Sequence, residues 1–227
     1  MYLFDFFDSI YPLSDQTKQD FLTIAKRRKY KVQHQLLSIG EICNKIYVVE
    51  SGMVRSFYYD EKGRDITSWI VAENDAATQP NSLFHQIPSP EVMETVEDSV
   101  LWEIDAQGLL RLQQQYHDLA LLRLRITEVY LLRYEERARV LRRVNVKQRY
   151  LRLLETFSHI VSRAPQGHIA SYLGMDLATL SRVRAEIAQK KQWTWKILEQ
   201  MSDFDKCQVI FWYLSNSVNA SCLKLAS

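Results

Sequence analysis

Arg182 carries the chemistry to read a base pair. A guanidinium meets the O6 and N7 acceptors of guanine with two parallel hydrogen bonds in the DNA major groove. It lies in residues 166–187, where Thr179, Ser181, Arg182 and Arg184 fall off an apolar face. That face is set by Leu180, Val183 and Ile187 at i, i+3 and i+7, with Ile169 and Leu173 as the apolar pair opposite. Ala170 puts a small side chain where two helices would cross. Gly174 follows four residues later, at a turn that often needs positive φ, and Asp176 suits the N-cap of a second helix. The pattern predicts a helix-turn-helix docked on DNA. The competing reading of the same spacing is an ordinary helical hairpin inside a core.

The remaining elements must hold that helix in place. The chain has 227 residues, 47% hydrophobic and 25% charged, enough for one large domain or two modest ones. Its net charge of +2 conceals an asymmetry: residues 1–105 hold 10 Lys/Arg against 17 Asp/Glu, and residues 106–227 hold 19 against 10. The basic second half suits a polyanion.

Residues 14–29 read as a helix capped by Ser14 or Asp15. From about 30 to 104, short β-rich segments at 36–39, 46–50, 53–59, 66–71, 92–97 and 100–104 alternate with glycine turns and a Pro-containing loop over 80–90. Closely spaced strands of this kind predict a small barrel or roll. Asp105 then caps a short helix reaching about Tyr116. Residues 117–144 form one long helix without Gly or Pro, on which Leu119, Leu122, Ile126 and Val129 alternate like a coiled-coil seam. Beyond Leu132 the stripe gives way to Arg133, Arg137, Arg139, Arg142 and Arg143. Residues 147–162 form a further helix, with Tyr150, Leu151, Leu153, Leu154, Phe157 and Val161 inward. The expected division is a sensing roll with flanking helices over 1–116, a dimerisation helix over 117–144, a DNA-binding domain over 145–191 and an atypical tail over 192–227. The fold class is α+β.

Other chemistries find little support. No apolar run is long enough to span a membrane, and the N-terminus, with Asp5 and Asp8, lacks the basic start of a signal peptide, so cytoplasm is the expected compartment. Cys43, Cys207 and Cys222 are too few and too widely spaced for a disulfide framework, a zinc site or an iron–sulfur cluster. His34, His85 and His117 are isolated histidines, weak candidates for a haem ligand. Neither a cofactor nor a metal is expected. No Ser/His/Asp set, zinc motif or phosphate loop occurs at a useful spacing, so the chain does not read as an enzyme.

The order roll, long helix, helix-turn-helix resembles the CRP/FNR family of bacterial transcription regulators, in particular a branch common in Bacteroidetes. The resemblance runs from about residue 10 to 190. It rests on Tyr11-Pro12-Leu13-Ser14, on residues 46–55, on Pro88-Ser89-Pro90 and on Glu94-Thr95-Val96-Glu97-Asp98-Ser99. Its most specific parts are Gln148-Arg149-Tyr150-Leu151, Ile169-Ala170-Ser171-Tyr172-Leu173-Gly174 and Thr179-Leu180-Ser181-Arg182-Val183-Arg184. It implies a homodimer paired along the long helices, double-stranded DNA as partner, RNA polymerase as a further partner, and a roll that senses a small effector. Matched by the turn glycine, Leu177, Ala178, Ser181 and Arg182 fall at base-facing positions, with Thr179 and Arg184 toward phosphate. Arg142, Arg143, Lys147, Arg149, Lys190 and Lys191 are further candidates for backbone contacts. Family members that bind cyclic nucleotides carry Gly-Glu and then Pro-Arg-Ser/Thr-Ala. Here the same stretch reads Asp75-Ala76-Ala77-Thr78 and Pro88-Ser89-Pro90-Glu91, with Glu94 nearby, so the pocket lacks the phosphate arginine and cyclic AMP is not expected to bind. Family members usually end in a short hairpin wing or stop soon after the helix-turn-helix, and the tail here follows neither pattern. The alternative function is a regulatory module of the cyclic-nucleotide type that does not bind DNA.

Overall fold

The alternating segments of the N-terminal half pair as antiparallel strands. The computed structural model describes residues 2–200 and the side chains of residues 3–189. Two helices, α1 (Tyr2–Ile10) and α2 (Asp15–Ile24), precede β1 (Ala25–Tyr30), β2 (Gln35–Leu37), β3 (Lys45–Ser51), β4 (Val54–Tyr59), β5 (Asp65–Val71) and β6 (Ala76–Ala77). The short helix α3 (Pro80–His85) leads to β7 (Val92–Thr95) and β8 (Ser99–Asp105). The strands form two four-stranded sheets, in orders β1-β8-β3-β6 and β2-β7-β4-β5. Leu37, Val49, Val54, Val71, Met93 and Leu101 meet in one buried cluster drawn from both sheets.

Because strand side chains alternate between faces, the neighbours of these residues point outward. Val48, Trp102 and Ile104 pack with Leu3, Phe4, Phe7 and Phe21 of α1 and α2. Ile70 and Ala72 join Met53 in a second outer cluster with the C-terminal helices. Helices therefore cover part of the outer face of each sheet.

The helical half follows the predicted order. Asp105 caps α4 (Ala106–Gln115) by accepting from the Gly108 amide. The long helix α5 (His117–Arg143) has 27 residues. Asn145 caps α6 (Val146–Thr156), followed by α7 (Ser158–Arg163), α8 (Gln166–Tyr172) and α9 (Leu177–Gln200).

Five differences from the sequence reading follow. The helix expected over 14–29 stops at Ile24, because Ala25 to Tyr30 extend and pair with β8 from Ala25↔Ile104 to Tyr30↔Ser99. Tertiary pairing overrides the helix propensity of a Lys/Arg-rich segment. Residues Tyr2–Ile10 form α1, driven by its phenylalanines. The loop over 80–90 contains α3, with Pro80 in its first turn, Gln79 accepting from the Ser82 amide, and Gln86 in the left-handed region at its end. The helix expected over 147–162 breaks at Phe157 (φ −136°, ψ 47°) into α6 and α7. In place of a wing directly after residue 190, the backbone of α9 runs on to Gln200. The aromatic and cysteine residues of 201–227, including Cys207, Phe211, Trp212, Tyr213 and Cys222, lie outside the described residues, as do the side chains of Lys190, Lys191, Trp193 and Trp195.

Candidate nucleic-acid interface and sensor site

Helices α8 and α9 meet as the spacing requires. Ile169, Ala170 and Leu173 of α8 and its turn are buried with Leu180 and Val183 of α9. Gly174 has φ +67°, which a side chain would strain. The Asp176 carboxylate accepts from the Thr179 amide at 2.6 Å and caps α9. That amide is the main reason its acidity is raised above that of a free carboxyl. The opposite side of α9 is open: Leu177, Ala178, Ser181, Arg182 and Arg184 are all exposed. Arg182 donates to Thr179 Oγ1 at 3.0 Å, one turn back on the same helix. Thr179 is half-buried and already holds both Asp176 and Arg182.

The further basic candidates separate into two groups. Arg142 and Arg143 are exposed at the end of α5. Lys147 is paired with Glu186. Arg149 points inward, donating to the carbonyls of Val144, Leu173 and Leu141 at 2.8, 3.0 and 3.0 Å. These are carbonyls at the ends of α5 and α8, where helices lack partners, so Arg149 is committed to joining two helix ends.

The seam on α5 also divides. Leu119 and Leu122 are 1% and 2% exposed, packed in the core with α1 and α2. Ile126 lies partly buried against the same cluster, and Val129 is 48% exposed. Leu119 and Leu122 thus have no surface left for a second chain, a correction to the seam read from the sequence. Leu124, Leu131 and Leu132 are the most exposed apolar residues of α5. Leu124 and Leu131 are one heptad apart, on the helix face opposite the buried one. A helix with two apolar stripes offers the sequence no means of telling which is inward.

Past Ile126 the inward stripe continues as Tyr130, Arg133 and Arg137, at steps of four, three and four residues. This polar continuation has a purpose that the sequence reading missed. Arg133 grips the Asp75 carboxylate with two hydrogen bonds of 3.0 and 2.8 Å. Tyr130 donates to the same carboxylate, and its hydroxyl accepts from the Ala76 amide at 2.9 Å. Burial and the adjacent carboxylate push the Tyr130 phenol far above its ordinary acidity constant. The Arg133 guanidinium also lies 5.5 Å from the Trp69 ring and 5.6 Å from Phe157. Arg137 stacks over Tyr172 at 3.8 Å and donates to the Tyr172 carbonyl. The long helix is thereby fastened to the roll and to the C-terminal helices at one junction.

The four residues expected in the effector pocket do not converge. Asp75 is held in that junction, and Thr78 donates to the Lys45 carbonyl at 3.3 Å. Both line a cavity of 570 Å³ between α1, α3, α5 and the outer face of β3. Glu91 instead accepts from Ser68 at 2.9 Å on the other sheet, and burial pushes its carboxyl up. Glu94 accepts from Arg55 at 2.8 Å. Arg55 is 5% exposed and also binds Asp65 at 2.9 and 2.7 Å. Glu91 and Glu94 therefore stand outside the cavity that Asp75 and Thr78 share, a correction to the pocket read from the sequence. His34, His85 and His117 are exposed, away from the cavity wall.

The C-terminal helices rest on the roll through polar contacts as well. The Thr67 amide donates to Ser171 Oγ at 2.8 Å. Arg163 binds Glu73 at 2.8 and 2.6 Å, and Glu73 also accepts from the Gly52 amide. Gly52 is required there: with φ +100°, a Cβ would come within 2.2 Å of Ser99 Oγ.

Comparison with known proteins agrees with this architecture. Residues 27–116 match the cyclic nucleotide-binding domain family. The fold is shared with the c-di-GMP-responsive global regulator CLP of Xanthomonas campestris, at 20% identity over 78% of this chain and 93% of that one, with a TM-score of 0.60. It is shared with FixK2 from Bradyrhizobium japonicum, at 19% identity over 74% and 86%, TM-score 0.62. A CRP/FNR-family protein from Eubacterium rectale is similar at 17% identity over 78% and 85%, TM-score 0.61. At these identities the likeness is one of fold. No curated protein sequence matches the chain. Among the described residues, no helix is long and apolar enough to cross a membrane.

Proposed function

We propose that this chain, which carries a cyclic nucleotide-binding domain on the fold of CRP/FNR transcription regulators, is a homodimeric, sequence-specific DNA-binding regulator and not an enzyme. The observation that supports this best is the open side of α9. A capped helix start leaves Leu177, Ala178, Ser181 and Arg182 exposed beside a glycine turn, while the opposite side is buried. This supports reading α8 and α9 as a helix-turn-helix whose second helix has the shape and donor to enter a major groove. Arg182 reads guanine, Leu177 and Ala178 offer apolar contact to thymine methyls, and Arg184 with Arg142 and Arg143 contacts phosphates. The dimer pairs along the outward stripe through Leu124 and Leu131, giving two half-sites. The roll senses an effector other than cyclic AMP, since Glu94 is already bound to Arg55 and Glu91 brings no positive charge.

Selection of bound sequences from random duplex DNA tests this reading. Recovery of a palindrome whose half-sites are about one helical turn apart supports it. Enrichment of no sequence, with weak salt-sensitive binding only, favours a regulatory module that acts without DNA.

A further inference from the structure

The 570 Å³ cavity is of a size that holds a small ligand. Its wall includes Phe7, Ile10, Val48, Leu83, Phe84 and Ile126, all apolar. Three polar groups on the same wall are already engaged. Asp75 is bound by Arg133 and Tyr130, Thr78 donates to the Lys45 carbonyl, and Thr127 donates to the Arg123 carbonyl. A polyhydroxylated or nucleotide-like ligand would leave its own polar groups unpaired there, at a high desolvation cost. An apolar chain would not.

One cation stands apart from this pattern. Arg123 lines the cavity beside Phe84, which is 58% exposed, and its guanidinium lies 5.8 Å from that ring. It donates to the neutral Gln113 side chain, and no carboxylate pairs with it among the described residues. A guanidinium has five N–H donors, so a planar carboxylate can bind alongside Gln113. A lone cation beside an apolar chamber matches one negative charge on an apolar tail. Among the described residues, no histidine, cysteine or methionine lines the cavity.

We propose that this cavity binds an aliphatic monocarboxylate, with its acyl chain among Ile10, Leu83 and Ile126 and its carboxylate on Arg123. This adds a ligand class to the sensor role proposed above. The binding measurement involves no DNA, so its failure and the failure of the DNA-binding reading are distinguishable.

Full-length protein is titrated by calorimetry with sodium decanoate below its micelle concentration and, separately, with 1-decanol. Saturable binding of about one decanoate per chain is expected. Arg123→Gln should weaken decanoate at least about tenfold, the loss of a charge-assisted contact, and leave 1-decanol affinity unchanged. Ile126→Trp fills the chamber and should abolish both; Ile10→Trp does the same from the opposite wall if the first variant fails to fold. The absence of saturable decanoate binding overturns the proposal. So does binding undiminished by Arg123→Gln, or by both tryptophan variants. Binding confined to a monomeric Leu124→Glu variant also overturns it, because the chamber would then be a contact between copies of this chain.

Discussion

Arg133 on the long helix and Asp75 on the roll form a two-pronged ion pair of 3.0 and 2.8 Å, with Tyr130 bound to the same carboxylate. It joins the part of the molecule proposed to sense an effector to the helix proposed to dimerise. Arg133 also faces Phe157, at the junction of α6 and α7. A change in the cavity beside Asp75 therefore has a short physical route to the C-terminal helices.

Asp75→Ala leaves the half-buried Arg133 without its anion. Breaking a buried pair from one side costs roughly 3–5 kcal/mol, and the partial exposure of Arg133 places this one at about 2–3 kcal/mol. Tyr130→Phe, which leaves the ion pair in place, should cost about 1–2 kcal/mol. Urea unfolding followed by tryptophan fluorescence checks both; equal losses would mean that the ion pair contributes nothing beyond the phenol.

Glu73 is held at a pKa of about 2, first by Arg163 and, against the opposing effect of burial, also by the Gly52 amide. Its unfolded value is near 4.5. The contribution is thus fully present above about pH 4.5 and is lost as pH falls toward 2. Glu73→Gln should lower stability at pH 7 by about 1 kcal/mol, modest because solvent screens the pair, and leave it little changed near pH 2. Urea unfolding at the two pH values tests the difference; an equal loss at both would remove the ionic contribution.

His168 is half-buried under Arg55, Asp65 and Glu94, with its Nδ1 lacking a hydrogen bond. Burial foremost, and then Arg55, hold its pKa below the usual 6.5, against Asp65 and Glu94. Below pH 6.5 the unfolded chain takes up the proton first, so stability falls as pH drops through that range. His168→Gln should flatten the stability profile below about pH 6.5. A variant as pH-sensitive as the wild type would show that His168 titrates normally.

Leu124→Glu with Leu131→Glu should give folded monomers by sedimentation and weaken binding to a palindromic site. Leu122→Ala should instead destabilise each chain, by about 2–5 kcal/mol, with the dimer retained at native conditions. The reverse pattern would restore the seam to the inward face.

Arg182→Ala should cost about 1–3 kcal/mol on the selected site and much less on random duplex. Arg184→Ala should weaken both alike and lower the salt slope by about one. The specific-to-random affinity ratio at fixed salt decides. If Arg182→Ala leaves it unchanged in a folded protein, α9 is not the reading helix.

Residue spacing alone was enough to place most of the strands, the Asp105 cap, the uninterrupted α5 and the turn at Gly174. Each follows from local rules: alternation, capping, or the demand for positive φ. The sequence also showed that Leu119 and Leu122 belong to an apolar stripe. It did not show that α1 and α2 would cover them, since a coiled-coil seam and an inward helix face share one periodicity. Likewise, Lys26 to Lys29 read as helical until β8 offered a strand to pair with. Asp75, Thr78, Glu91 and Glu94 are near one another along the chain, yet successive strands carry them into different environments. The ion pairs of Arg55, Arg133 and Arg163 join residues 10 to 90 positions apart. No local pattern specifies such partners; strand pairing within one sheet brings Asp65 and Glu94 to Arg55, and the packing of the roll against the helices brings Asp75 to Arg133 and Glu73 to Arg163.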